Sequence, residues 1–274
     1  MKLTSEQEQE IATALRAGGS GRDLAAAYSV SPSLIVNIRK RCGVKAGRIG
    51  RRVTKFVDHS AFDVLTPASA YWLGMIFSDG GIDYEKGTPL ICLELARKDR
   101  GHVEKFRAFL KSDYAISDVV HKNSYGRDGV TLASAFRARS QQLADALEAR
   151  GLMAEKSLRD PIATLIASRD FFRGVVDGDG WIGLRKNYPV VGLSGQRLIL
   201  TRFQTFLVAN GLPPHEIVPT ESGIWKIVVS GDKARALVRV LYQDAVVALD
   251  RKYARARIIL ASSADYLPDD GDEV

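Results

Sequence analysis

An internal repeat constrains this chain more than any other feature. An apolar stretch closing on Asp-Gly occurs twice. It reads Tyr71-Trp72-Leu73-Gly74-Met75-Ile76-Phe77-Ser78-Asp79-Gly80, then Phe171-Phe172-Arg173-Gly174-Val175-Val176-Asp177-Gly178-Asp179-Gly180. The two final aspartates stand one hundred positions apart, and self-similarity at a fixed spacing marks two copies of one structural unit. Each stretch is followed by the same order of patterns. Two strand-like runs come first, near 82–85 and 89–95 and near 181–186 and 189–194. A helix follows, about 98–111 and about 195–210. Two more strands come next (115–121 and 129–137; 215–219 and 224–230), then a closing helix (139–150; 231–242). The expectation is α+β, with two tandem αββαββα repeats.

The motif residues suggest how the copies meet. Gly74 and Ser78 are four apart, as are Gly174 and Gly178. Small residues at that spacing share one helix face and let two backbones approach closely. Packed together, the helices bring Asp79 and Asp179 to one place. A carboxylate at a helix C-terminus is disfavoured by the dipole, and a second carboxylate beside it adds repulsion. Divalent cations relieve both problems. Oxygen-only ligands suit Mg²⁺ (or Mn²⁺), and two carboxylates with metal fit phosphodiester hydrolysis by metal-bound water.

Over about residues 67–262 the paired motifs resemble the LAGLIDADG homing endonucleases in their single-chain, two-motif form. The resemblance implies a pseudo-twofold enzyme with a saddle of antiparallel strands over the DNA major groove. It also implies that Asp79 and Asp179 are the catalytic, metal-binding acids. Asp177 matches an acidic motif position, but Phe77 stands there in the first copy, so no catalytic role is assigned to it. Lys156 and Lys252 resemble the family's late basic residues near the active site, which polarise the scissile phosphate or orient water. The four histidines, His59, His102, His121 and His215, are scattered and read as surface or incidental.

Side chains alternate along a strand. Counting by twos from Asp179 gives Trp181, Gly183, Arg185 and Asn187, of which Arg185 and Asn187 suit base edges or phosphates. The same count from Asp79 gives Gly81, Asp83, Glu85 and Gly87, an unpromising DNA face. His121, Lys122, Asn123, Arg137 and Lys226 on later strands are the alternatives, although a shift of one residue reverses the face.

Before the repeats, residues 1–42 read as a helix-turn-helix unit. Its third helix, Ser33 to Arg41, carries Asn37, Lys40 and Arg41 on its outer side. Residues 43–66 read as a basic linker. Between 31 and 57 there are eight basic side chains and no acid, among them Arg48, Arg51 and Arg52, which suit phosphate contact. The repeats are placed at 67–160 and 161–263, with an acidic tail over 264–274.

Composition agrees with this plan. The net charge is +7 and the pI about 9.4, which favours a polyanionic partner. No apolar run approaches the roughly 18 residues of a membrane span. The opening Met-Lys-Leu-Thr-Ser-Glu lacks a secretory leader's apolar core. Two cysteines, Cys42 and Cys92, form no metal-ligand spacing and point to a reducing, intracellular setting, such as a bacterial or phage-infected cytoplasm. The expected activity is site-specific, metal-dependent double-strand cleavage of a long non-palindromic DNA target by a monomer, with an intron-encoded or free-standing host element left open. Two alternatives share the scaffold, a non-catalytic transcription regulator and an RNA-splicing maturase. An intein is disfavoured, because a leading Cys or Ser and a closing His-Asn are lacking.

Overall fold

The structure is a computed structural model, and it describes residues 3–16, 19–44, 55–85, 87–122, 129–185, 188–221 and 223–261. Arg48, Arg51, Arg52, Asn123 and Asn187 lie outside the described residues, as does the acidic tail. The chain divides into two units, residues 1–54 and 55–274. Among the described residues, no helix is long and apolar enough to cross a membrane.

The first unit holds α1 (Ser5–Arg16), α2 (Gly21–Ala27) and α3 (Pro32–Arg41). Local chemistry sets its boundaries. Ser20 and Ser31 are N-caps whose side chains accept from Asp23 N and Leu34 N, and Pro32 opens α3 at a position where no backbone donor is needed. Ser29, at φ 51°, turns the chain between α2 and α3. Ile11, Leu15, Ala25, Ile35 and Ile38 form a small core. That packing leaves Val36, Asn37, Lys40 and Arg41 exposed on α3. Arg41 pairs with Glu8 of α1 at 2.9 Å.

The second unit begins earlier than the sequence suggested. Residues 55–66, read as the end of a linker, dock onto the repeats: Val57 and Phe62 are buried, and Asp58 N donates to Leu110 O at 2.8 Å. Two apolar side chains outweighed the basic, Gly-rich composition of the preceding residues.

The first repeat runs α4 (Pro67–Asp79), β1 (Gly80–Asp83), β2 (Leu90–Ala96), α5 (Arg100–Phe109), β3 (Ser117–Lys122), β4 (Val130–Arg139) and α6 (Gln141–Glu148). After a short helix, α7 (Ala163–Ile166), the second runs α8 (Arg169–Asp179), β5 (Gly180–Arg185), β6 (Tyr188–Gly195), α9 (Arg197–Ala209), β7 (Ile217–Pro219), β8 (Trp225–Ser230) and α10 (Gly231–Tyr242). The expected αββαββα order is present twice. A helix the patterning did not predict, α11 (Asp250–Ala261), closes the second repeat. Its apolar positions are interrupted by Arg251, Arg255 and Arg257, which hides the helical period.

Each repeat builds one antiparallel four-stranded sheet, in the orders β1-β2-β4-β3 and β5-β6-β8-β7. One face of each sheet is covered by helices. Ile91, Leu93 and Phe136 in the first, and Val191, Leu193 and Ile227 in the second, are fully or nearly fully buried there. The other face carries the alternate residues.

The sheets are joined through α4 and α8. A Cβ on Gly74 would lie 2.1 Å from Phe171 O, and one on Gly174 would lie 2.1 Å from Tyr71 O. These contacts are reciprocal, the signature of a twofold relation. The axis runs between the two glycines, because only their missing side chains let the backbones touch. Thr66 and Ser69 form a capping box at the start of α4, and Ser168 caps α8.

Candidate active site

Asp79 and Asp179 are the last residues of α4 and α8. The glycine contact carries both to the same end of the helix pair. A Cβ on Gly178 would stand 2.0 Å from Ser78 Oγ and 2.7 Å from Asp79 Oδ2, so the first carboxylate rests on the backbone of the second motif. Asp79 is partly buried, while Asp179 is more open. Burial is the main force that pushes the Asp79 carboxyl up to about 6, and the Asp179 charge adds to it; Lys156 and Lys252 pull the other way. Asp179 is also raised by burial, and Lys156, Lys252 and Arg159 moderate the rise.

Three cations close the helix ends. Arg159 donates to Ile76 O (3.0 Å), Phe77 O (2.5 Å) and Gly80 O (3.2 Å). Lys252 donates to Val176 O (2.7 Å), Asp177 O (2.7 Å) and Gly180 O (2.5 Å). These are the same three positions in each motif. Both cations are almost fully buried, and their placement suits the negative end of a helix. Burial lowers the Lys252 amine to about 8. Lys156 differs: it is exposed and donates to Ser78 O at 2.5 Å. Lys156 and Lys252 are therefore not counterparts, as the sequence suggested. Arg159 holds the Lys252 position, and Lys156 is an additional cation. Sequence alone pairs lysine with lysine, whereas the fold pairs positions around the helix end.

A cavity of about 270 Å³ opens beside this cluster, lined by Phe77, Ser78, Lys156, Arg159, Asp179 and Ile199 among others. A second, of about 330 Å³, borders Asp99, His102, Leu249 and Arg251.

Asp177 lies beneath the site and is fully buried. It accepts from Tyr242 OH (2.6 Å), Tyr71 OH (2.7 Å) and Leu249 N (2.7 Å). Burial raises its carboxyl, and these donors oppose the rise. Because Tyr71 gives its proton to Asp177, it accepts from His102 Nε2 at 2.7 Å. His102 is 2% exposed and held neutral, its pKa lowered by burial to about 4. It is a core residue and not the incidental surface histidine expected. Arg173, also buried, donates to Leu241 O and Val247 O and stacks over Tyr71. The sequence pattern flagged neither Arg159 nor this network, because the partners are separated by up to 106 positions.

The open sheet faces follow from the strand registers. Arg185 and Trp181 point outward on β5, and Lys226 is on the same face of β8, opposite Ser194. Arg137, opposite Cys92, is on the open face of the first sheet and is engaged by Glu94 at 2.7 Å and Ser117 Oγ at 3.2 Å. His121 shares that face and also contacts Glu94. Lys122 is on the reverse face, in line with Val120 and Asp118, so it leaves the set of outward residues. The one-residue parity of a strand decided this.

The donors fit a hard divalent cation. Among the described residues no group of three or more His, Cys, Asp or Glu could hold a metal ion. The two carboxylates, each raised by burial, would supply two oxygen ligands to a divalent cation, with water filling the rest of its shell.

No family model and no curated protein matches the chain. A lysine-to-alanine mutant of I-SmaMI is similar over 72% of this chain and 91% of its own, at 13% identity and a TM-score of 0.50. Meganuclease I-SmaMI bound to uncleaveable DNA matches at 14% identity, 71% and 87% coverage and a TM-score of 0.49. The LAGLIDADG meganuclease I-AabMI bound to uncleaved DNA matches at 13%, 71% and 89%, with a TM-score of 0.46. I-SmaMI is a LAGLIDADG homing endonuclease. At this identity the likeness speaks for architecture: the second unit has the tandem αββαββα fold of I-SmaMI.

Proposed function

We propose that the chain is a metal-dependent, site-specific DNA endonuclease of the LAGLIDADG kind. The observation that carries this reading is the pair of carboxylates, Asp79 half-buried and Asp179 more open, brought together at the C-termini of two glycine-packed helices. No packing requirement calls for two acids there, and each is held above its ordinary pKa. Fold likeness to I-SmaMI supports the same reading.

Asp79 and Asp179 would hold divalent cations, Mg²⁺ or Mn²⁺. Bound there, such a cation supplies a Lewis acid for the phosphate and lowers the pKa of water. The chain's own residues do the rest. Arg159 and Lys252 fix the carbonyls on either side of each aspartate and so aim the two carboxylates. Lys156, exposed beside Asp179, meets phosphoryl oxygens and stabilises charge that develops on them. Arg185 and Lys226 on the open sheet faces contact duplex DNA, with Arg137 as a neighbour. The two repeats differ at these positions, so the target is long and non-palindromic and a single chain suffices. Residues 1–42 form a helix-turn-helix module whose Asn37, Lys40 and Arg41 add DNA contacts, and the basic residues Arg48, Arg51 and Arg52 track phosphates.

In vitro selection for Mg²⁺-dependent cleavage in randomised or host-genome DNA tests the reading. It predicts a recurrent cut site for the native chain. It is wrong if Asp79→Asn and Asp179→Asn both cut that site as well as the native chain does.

A further inference from the structure

We propose that the two scissile phosphates are served unequally: Lys156 acts on the phosphate beside Asp179, no cationic side chain stands in its place in the other half, and the strand at the Lys156 cavity is cut first. The inference rests on the endonuclease reading above.

Arg159 and Lys252 contact equivalent carbonyls of their motifs. Aligning them places Lys156, three residues before Arg159, opposite Leu249, three before Lys252. Lys156 is exposed and makes one hydrogen bond among the described residues, to Ser78 O, so its ammonium keeps donors for a ligand. Leu249 is apolar and 3% exposed. The surroundings differ in the same sense. Asp99 borders the second cavity where Ile199 borders the first, and it holds Arg251 at 3.1 and 3.2 Å. Two basic side chains, Lys98 and Arg251, border the cavity beside Leu249; Arg251 is held by Asp99, and neither occupies the position aligned with Lys156. The Lys156 cavity instead joins two cations, Lys156 and Arg159, to one carboxylate.

In each half the same bonds change. Water oxygen bonds to phosphorus and one phosphorus–oxygen ester bond breaks. One water proton goes to the departing sugar oxygen, and the other is released from the phosphate monoester. Negative charge builds on the phosphoryl oxygens, and a single preorganised donor at such a centre is worth about 10²–10³ in rate. At the aligned position the first half carries that donor, Lys156, and the second carries Leu249.

The test uses a supercoiled plasmid carrying the site recovered by cleavage selection, with strand-specific end labels and Mg²⁺ under single-turnover conditions. The expected result is accumulation of nicked circles, always nicked in the same strand. Lys156→Met slows that strand about 100-fold, leaves the other within about twofold and so reverses the order of nicking. Lys156→Arg restores part of the lost rate. Rates are taken at saturating enzyme, so that a loss of phosphate affinity does not enter them, and Lys156 is exposed, so thermal unfolding of Lys156→Met matches the native chain. Equal rates for the two strands in the native chain, or an equal loss on both strands in Lys156→Met, overturns the proposal alone. Absence of any recovered site overturns the endonuclease reading and this inference with it.

Discussion

Arg159 and Lys252 do the same work one repeat apart. Arg159 binds the carbonyls of Ile76, Phe77 and Gly80; Lys252 binds those of Val176, Asp177 and Gly180. Each neutralises the negative end of a motif helix while an aspartate occupies the final position. Arg159→Met and Lys252→Met leave three buried carbonyls short of a donor and remove a cation from beside the carboxylates. Each is expected to cost about 3 kcal/mol or more and to lower Tm by about 6–12 °C, checked by thermal denaturation.

The helix contact is unforgiving. Gly74→Ala or Gly174→Ala places a methyl within 2.1 Å of a backbone carbonyl oxygen that has no flexible end to move aside. Overpacking of this kind costs about 3 kcal/mol, at the upper end of the usual range. Gly81→Ala, where nothing lies within 4 Å, is the control and should shift stability by less than about 0.5 kcal/mol. Urea unfolding followed by circular dichroism distinguishes them.

These contacts also show what was legible in the sequence. Asp79, Asp179 and the small residues four positions apart stand inside one motif, and repetition at a fixed spacing made them visible. The order of strands and helices followed from apolar periodicity. What escaped depended on partners distant in the chain. Arg159 stands 80 positions after Asp79 and looks like any basic residue. His102 joins Tyr71 and Asp177 through a network that crosses both repeats. Lys122 failed on parity, since one step along a strand exchanges its faces. The docking of residues 55–66 turned on Val57 and Phe62, two apolar residues in a stretch whose composition spoke for a tether.

The Asp79 carboxyl gives the metal-free protein a pH signature. Its pKa rises from 3.8 in the unfolded chain to about 6 in the folded one. Between about pH 4 and pH 6 the folded state holds a proton that the unfolded chain has released. Stability from this group is therefore present below that window and is lost as pH rises through it. In EDTA, Tm of the native chain should fall more steeply over this window than Tm of Asp79→Asn. Above pH 6, saturating Mg²⁺ should restore stability, by about 2.7 kcal/mol at a hundredfold excess over Kd. Parallel slopes for the two proteins would remove the claim that this carboxylate is disfavoured.

On the open sheet face, Arg185→Ala and Lys226→Ala should each weaken DNA binding at all sequences and reduce the slope of log affinity against log salt by about 1 if the contact is to phosphate. Lys122→Ala, on the reverse face, should change neither quantity. Fluorescence anisotropy titrations at several salt concentrations measure both.

Asp79 and Asp179 together would form one metal-dependent centre for cutting DNA. Cleavage of the selected site in Mg²⁺ by the native chain, Asp79→Asn and Asp179→Asn, with duplex binding measured alongside, tests it most directly. The prediction is a loss of at least about 10³-fold in cleavage for either variant, with binding retained. Native cleavage rates in both variants, or rates unchanged by EDTA, would contradict it.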